Sequence, residues 1–246
     1  MTRNLTVEAV VLAHRKTSGM HRRAVLLSPE AGMIEADAFG AKRGSLTGKI
    51  GQFISGTCVL YYNPVKKTWK IEDFSPREYR SYISSSLPLI YTASFFSECI
   101  MKTYAGGGEY PRLFDIMLNA LDGLSQTERR DLVIIQFLWR YLMLSGFLGE
   151  PGVCASCGRG VKGSEAMILD PMDGVLNCSG CSTDKAQHVL SPGARSYLEH
   201  TLGRNFSEAM KVGLARSAAV QLKGLLVSLV DQVTEGSLKT LGSNMI

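Results

Sequence analysis

The chain has 246 residues, 45% of them hydrophobic and 20% charged, a balance typical of a globular protein with a sizeable core. No apolar run reaches the roughly 18–20 residues that span a bilayer; the best stretch, 87–101, is interrupted by Pro88, Thr92, Ser94, Ser97 and Glu98. The formal net charge of +5 is uneven: residues 1–80 hold 13 Lys or Arg against 7 Asp or Glu, and the remainder 14 against 15. The basic first third points to a polyanion partner or to a generally solvated basic surface.

The amino-terminal run MTRNLTVEAVVLAHRK passes from a short apolar part straight into His14, Arg15 and Lys16. It lacks a signal-peptide layout, so a soluble, cytoplasmic protein is expected. Strands are predicted over 7–12, 23–28, 33–39, 56–62 and 68–74, each bounded by turn residues. Five alternating strands in about 75 residues fit an OB-type barrel. Helices are predicted over 88–104, 111–122 and 127–147 from apolar residues three and four apart. Pro192 opens a further helix after Ser191. A longer helix follows, with Ser207 as N-cap, Glu208 in its first turn and a core stripe of Val212, Ala215, Ala219, Leu222, Leu226, Leu229 and Val233. The tail from Gly236 is expected to be loosely held.

Four of six cysteines fall in CASCGRGVKGSEAMILDPMDGVLNCSGC, residues 154–181. Cys154 and Cys157 enclose two residues, as do Cys178 and Cys181, with twenty residues between the pairs. This is the C-x2-C-x15–20-C-x2-C spacing of a zinc site. Two intervening residues let a tight turn present both sulfurs to one ion, and Gly158 and Gly180 stand where such turns need permissive backbone. Four thiolates close a tetrahedral Zn2+ site and leave no position for water, the mark of a structural ion rather than a hydrolytic one. Arg159, Lys162 and Lys185 are placed to offset its negative charge. Reduced unliganded cysteines, a redox pair, or His188 in place of one thiolate are the competing readings. A zinc ion here would staple a lobe too small to fold on its own core. Cys58 and Cys99 read as ordinary buried residues.

Basic residues gather at the turns of the predicted barrel: Arg15, Lys16, Arg22, Arg23, Lys42, Arg43, Lys49, Lys66, Lys67 and Lys70. On a small barrel such turns share a side and form a groove for a phosphate backbone. Phe39, Phe53, Tyr61, Tyr62 and Trp69 serve either as base-stacking surfaces or as core. GAKRGSLTGK is no P-loop, because the frame fails at Ile50. No Ser/His/Asp, Cys/His or H-E-x-x-H set occurs, and a non-enzyme is expected. The competing classes are a zinc-containing protein–protein adaptor without DNA binding, and a metal-dependent nuclease or deaminase, against which the closed thiolate set and the missing His-x-Glu argue.

In order along the chain, VEAVVLAHRKTSGMHRRAVLLSPEAGMIEADAFGAKRGS, the run Pro111 to Asp115, FLWRYLMLSGFLGEPGVCASCG (137–158) and LSPGARSYLEHTL (190–202) resemble the RecO family of bacterial DNA repair and recombination mediators. Pro151 stands a residue later than the family pattern places it. The resemblance implies an α+β chain: an N-terminal OB-type β-barrel (1–78), an all-helical domain (79–150 and 190–246) and an inserted four-cysteine zinc lobe (151–189). It implies binding of single- and double-stranded DNA, strand annealing, and recombinase loading with the partner RecR on DNA coated by single-strand binding protein (SSB), whose C-terminal tail such proteins bind. It implies a cytoplasmic, nucleoid-associated protein with no membrane partner. Lys42 and Arg43 match the family's basic connection. Arg129, Arg130 and Arg140 are candidates for the tail's carboxylates, or belong to a solvated helix face.

Overall fold

The computed structural model describes residues 3–16, 22–39, 46–103, 108–170, 173–182, 188–234, 237–243 and 245–246. Five strands come first: β1 Asn4–Lys16, β2 Arg22–Ser28, β3 Gly32–Ala38, β4 Ser55–Asn63 and β5 Thr68–Glu78. They close into a barrel of order β1-β2-β3-β5-β4. The long β1 pairs with β4 through its first half and with β2 through its second, and a short parallel contact between β3 and β5 completes the circuit.

Alternation explains the barrel interior. Val7, Ala9 and Val11 of β1 point inward with Leu26, Ile34, Leu60 and Phe74. Leu46, Ile50 and Ile54, from the connection between β3 and β4, join the same cluster. Val10, Leu12 and Leu27 point the other way and are also buried, because that outer face packs on the helices. Phe53 belongs to this second cluster, which removes it from the base-stacking candidates. A register shift between Val11 and Ala13 accompanies the contact. There the Val11 N–H donates to the Ile54 carbonyl at 3.0 Å, and Phe53 N–H donates to Val11 at 2.8 Å.

The helices are α1 Ser81–Ser84, α2 Leu87–Thr103, α3 Tyr110–Gln126, α4 Arg130–Leu144, α5 Pro192–Leu202, α6 Phe206–Ala209 and α7 Arg216–Val233. Among the described residues no helix is long and apolar enough to cross a membrane. α4 stops three residues short of the expected 147. Gly146, at φ 74°, donates to Met143, and Phe147 donates to Leu142 at 2.9 Å, the paired bonds of a Schellman stop.

The long C-terminal helix with a Ser207 cap is not found. Asn205 is the cap, in a reciprocal capping box with Glu208, and it opens only the single turn α6. The chain then breaks around Gly213 and restarts at Arg216, so Ala215 is exposed while Ala219, Leu222, Leu226 and Leu229 are buried. The tail is also better held than expected. The Glu98 carboxylate accepts the N–H groups of Lys239 (2.8 Å) and Thr240 (3.0 Å), and Leu238 is buried. Burial opposes ionisation of Glu98, yet these donors and Lys102 hold it below the usual carboxylate range.

Three short strands surround the cysteines: β6 Met167–Asp170, β7 Val175–Cys178 and β8 Val189–Leu190, ordered β7-β6-β8. Met167, Leu169, Leu176 and Leu190 join the same core as the helices. Gly174, after the β6–β7 turn, has φ 66°, and a Cβ there would drive into the Phe147 carbonyl at the end of α4. Gly174→Ala is therefore expected to destabilise the protein by more than about 1 kcal/mol. Denaturant midpoints of the two proteins check this, and equal midpoints would refute the close approach.

Candidate metal centre and nucleic-acid face

The two cysteine pairs occupy matching turns. In the first, Gly158 N–H donates to the Cys154 carbonyl at 2.9 Å, and Gly158 takes φ 71°. In the second, Cys181 and Ser182 N–H groups donate to the Cys178 carbonyl at 3.0 and 3.1 Å. Gly180 shows no left-handed backbone, so only the first turn depends on glycine in that way. The four sulfurs lie within 4.8 Å of one another, with Cys154 and Cys178 buried and Cys157 exposed. Tetrahedral bonds of about 2.3 Å to thiolates place sulfurs about 3.8 Å apart, close to the 4.0 Å between Cys157 and Cys178. The cluster can therefore hold a metal ion. His188 is not one of the converging groups; its carbonyl accepts the Leu169 N–H instead.

Local donors tune the thiols. The Cys178 N–H, 3.3 Å from the Cys154 sulfur, is the main cause that lowers Cys154 to about 6, against the opposing effect of burial. Burial also opposes ionisation of Cys178, but the Cys181 thiol, the Gly180 N–H and Arg159 outweigh it. Cys181 is pushed up to about 12 by hydrogen bonds to the Cys178, Cys157 and Cys154 sulfurs. A cation held by the cluster would displace thiol protons. Arg159 is paired chiefly with Glu165 and only secondarily with the Cys178 sulfur, so most of the charge expected to offset the cluster is already met by a carboxylate. Lys185 lies outside the described residues.

Arg195 of α5 ties the lobe down. Its buried guanidinium donates to the carbonyls of Val161 (2.8 Å), Gly163 (2.9 Å) and Glu165 (3.2 Å) and pairs with Glu199. Nothing in the sequence pattern singles it out, since its acceptors are backbone atoms 30 or more residues away.

The barrel brings several basic candidates into one row. Cross-strand register aligns Arg15 with Arg23, Arg23 with Asp37, Asp37 with Lys70, and Lys70 with Tyr61. Aligned partners share a face of the sheet. Three candidates are already engaged by carboxylates: Arg15 by Glu35 at 2.8 Å, Arg23 by Asp37 at 2.9 Å, and Lys49 by Asp73 at 3.3 Å. Lys49 is thereby held farther along β5, away from the row. Among the described residues Arg22, Lys66, Lys67 and Lys70 make no ion pair. Lys16 sits opposite Arg22 in the register, and Lys42 and Arg43 lie outside the described residues. One register step from Lys70, and so on the other face of the sheet, the rings of Tyr62 and Trp69 lie 5.1 Å apart, both half-buried, with Trp69 packed against the barrel interior. Phe39 is exposed at the end of β3.

The three helical arginines do not converge. Arg129 pairs with Asp131 at 2.8 Å, and Arg130 donates to the Pro88 carbonyl at 3.0 Å. Arg140 donates to the carbonyls of Arg204 (2.8 Å) and Thr201 (3.3 Å) and lies over the Phe206 ring. Only Arg140 lines the cleft of about 570 Å³ between α3, α4 and α6, with Arg112, Ile116, Trp139, Met143 and Phe206. Arg112 was not among the candidates; sequence gives no sign that it and Arg140 face the same space.

A family described as "Recombination protein O C terminal" matches residues 84–242, from the helices through the cysteine lobe to the tail. The chain belongs to the RecO family. Individual RecO relatives agree at low identity. One from Desulfitobacterium hafniense is 26% identical over 179 residues, covering 72% of this chain and 64% of that protein. One from Synechococcus elongatus is 22% identical over 166 residues, covering 66% and 62%. One from Acetivibrio thermocellus is 24% identical over 225 residues, covering 89% and 87%, an alignment that reaches into the barrel. Each of the three is named "DNA repair protein RecO". The chain thus spans a little under two thirds of the length of the first two.

Proposed function

We propose that the protein is a non-enzymatic DNA-binding and strand-annealing factor of DNA repair and recombination. The observation that carries this is the gathering, at the β4–β5 hairpin end of the barrel, of Lys66, Lys67 and Lys70, which make no ion pair among the described residues, with the Tyr62–Trp69 ring pair at the base of the same hairpin. The strand order, with β1 shared between β2 and β4, supports an OB-type barrel, whose hairpin loops suit oligonucleotides. The relatives' printed names agree with this chemistry. Annealing requires no covalent step. It requires two strands held together with their charges screened and their bases left free. The cytoplasm, in association with the nucleoid, is the corresponding place of action.

In the same reading the four cysteines hold one structural Zn2+, which holds the lobe in shape and takes no part in chemistry. The domains run 1–78, 79–150, 151–189 and 190–246. RecR and the SSB tail are the partners. In the cleft Arg112 is paired with Glu109 at 3.7 Å and Asp115 is a further lining group, so Arg140 beside Phe206 is the cation left for a terminal carboxylate, with Ile116 and Met143 as apolar surface for its neighbours.

Phosphate contacts release counterions, so affinity should fall steeply with salt. Replacing Lys66, Lys67 and Lys70 together by alanine is expected to reduce the slope of log K against log salt on single-stranded DNA by about 2, at ~0.7 per phosphate. Fluorescence anisotropy at stepped salt concentrations measures it. An unchanged slope sinks the assignment of this face. If the parent protein binds no DNA even at low salt while capturing an SSB tail peptide, the adaptor reading takes its place.

A further inference from the structure

We propose that the tip of the β4–β5 hairpin is a wedge that seats against the last base pair where a duplex opens into single strands. This rests on the nucleic-acid reading above and goes beyond it by naming the form of DNA that is preferred. The strands stay paired up to Asn63 opposite Thr68, so the tip is the four residues Pro64, Val65, Lys66 and Lys67. Val65 is 90% exposed, far more than any other large apolar residue described. Water is a poor place for such a side chain, and its neighbours do nothing to cover it.

The tip is also held stiffly. The Asn63 side-chain oxygen accepts the N–H groups of Val65 and Lys66, both at 3.0 Å, and proline precedes Val65. Lys67 takes φ 52°, a left-handed conformation that costs a non-glycine residue about 1 kcal/mol or more. At the base of the tip the Tyr62 and Trp69 rings pack together. A braced backbone therefore presents one small apolar group between a proline and two lysines that make no ion pair among the described residues.

That combination selects its ligand. Lysine ammonium groups meet phosphates without regard to sequence. Proline and small aliphatic side chains fit against the face of a base and open the stack beside it. A uniform single strand offers phosphates on one side only, and a continuous duplex has its base faces covered. A junction offers an uncovered base-pair face with phosphates on both sides. Val65 has no polar atom in its side chain, so the contact would be indifferent to which bases form that pair.

The full chain should be titrated into a single-stranded oligonucleotide and into the same strand paired over half its length, each read by fluorescence anisotropy. The parent protein is expected to bind the half-paired form more tightly. Val65→Ser is expected to lose about tenfold on that form and little on the single strand, as the burial of one valine implies. Lys66→Ala with Lys67→Ala should weaken both. A 2-aminopurine placed at the junction should brighten with the parent protein and not with Val65→Ser. A parent protein without preference, or a Val65→Ser protein that retains it, overturns the wedge while leaving DNA binding intact. If the parent protein binds neither form at low salt, the nucleic-acid reading itself falls. If all variants bind both forms as the parent does, the tip serves a protein partner and the wedge is wrong.

Discussion

Replacing Cys154 and Cys181 together by serine is expected to strip the protein of its metal and loosen the helical half. Structural zinc contributes about 10–16 kcal/mol to isolated finger peptides. Here the lobe has supports besides the four cysteines: Met167, Leu169, Leu176 and Leu190 share the helical core, and Arg195 fastens the 161–165 segment to α5. A loss of about 4–6 kcal/mol is therefore expected, a fraction of the peptide value. Metal analysis of the purified parent should find a single zinc per chain, and the variant none. Chemical denaturation should show the loss of stability, with exposure of Trp139 as its probe. A parent protein free of metal, or a metal-free variant as stable as the parent, would contradict the structural role.

Replacement of Arg80 by methionine should cost somewhat more than half as much, at the junction of barrel and helices. Its side chain is only 2% exposed and bridges the halves: it donates to Asp122 of α3 at 2.6 Å, to the Phe53 carbonyl at 3.1 Å and to the Ser55 hydroxyl at 2.8 Å. Asp122 is 47% exposed and can turn to water, so the pair itself is worth little. The Phe53 and Ser55 oxygens are buried and would be left without this donor, at about 1–3 kcal/mol each. The total, about 3 kcal/mol, corresponds to a fall of about 10 °C in Tm for a chain of this size. Arg80→Lys should recover only part, because one ammonium cannot span three acceptors set around a planar fork. Arg80→Gly separates backbone from side chain, since it relieves the left-handed φ of 47° yet loses every donor. It too should melt early. A Tm within a degree or two of the parent for both Met and Gly variants would show that the bridge contributes nothing.

What could be read from the sequence follows the range of the interaction. The cysteine turns were legible because their geometry is set within four residues, and the barrel strands because alternation is a local signal. Helix ends were missed where the apolar stripe ran on through a stop: Gly146 closes α4, and the break around Gly213 separates α6 from α7. Charge was legible, but its neutralisation was not. That Arg15 meets Glu35 and Arg23 meets Asp37 depends on strand register, which no count of lysines and arginines contains. Arg80, Arg195 and the tail acceptor Glu98 were invisible for the same reason, since their partners lie 25 to 142 residues away.

The buried seam formed by Val10, Leu12, Leu27 and Phe53 with the helices has a mechanical consequence. Cutting the chain after the barrel would bare a greasy stripe on each piece, and the pieces would clump or find each other again. Left whole, the molecule has no joint there. A strand gripped at the hairpin end would be turned bodily by whatever tugs on the helical half, the two moving like the head and handle of one tool.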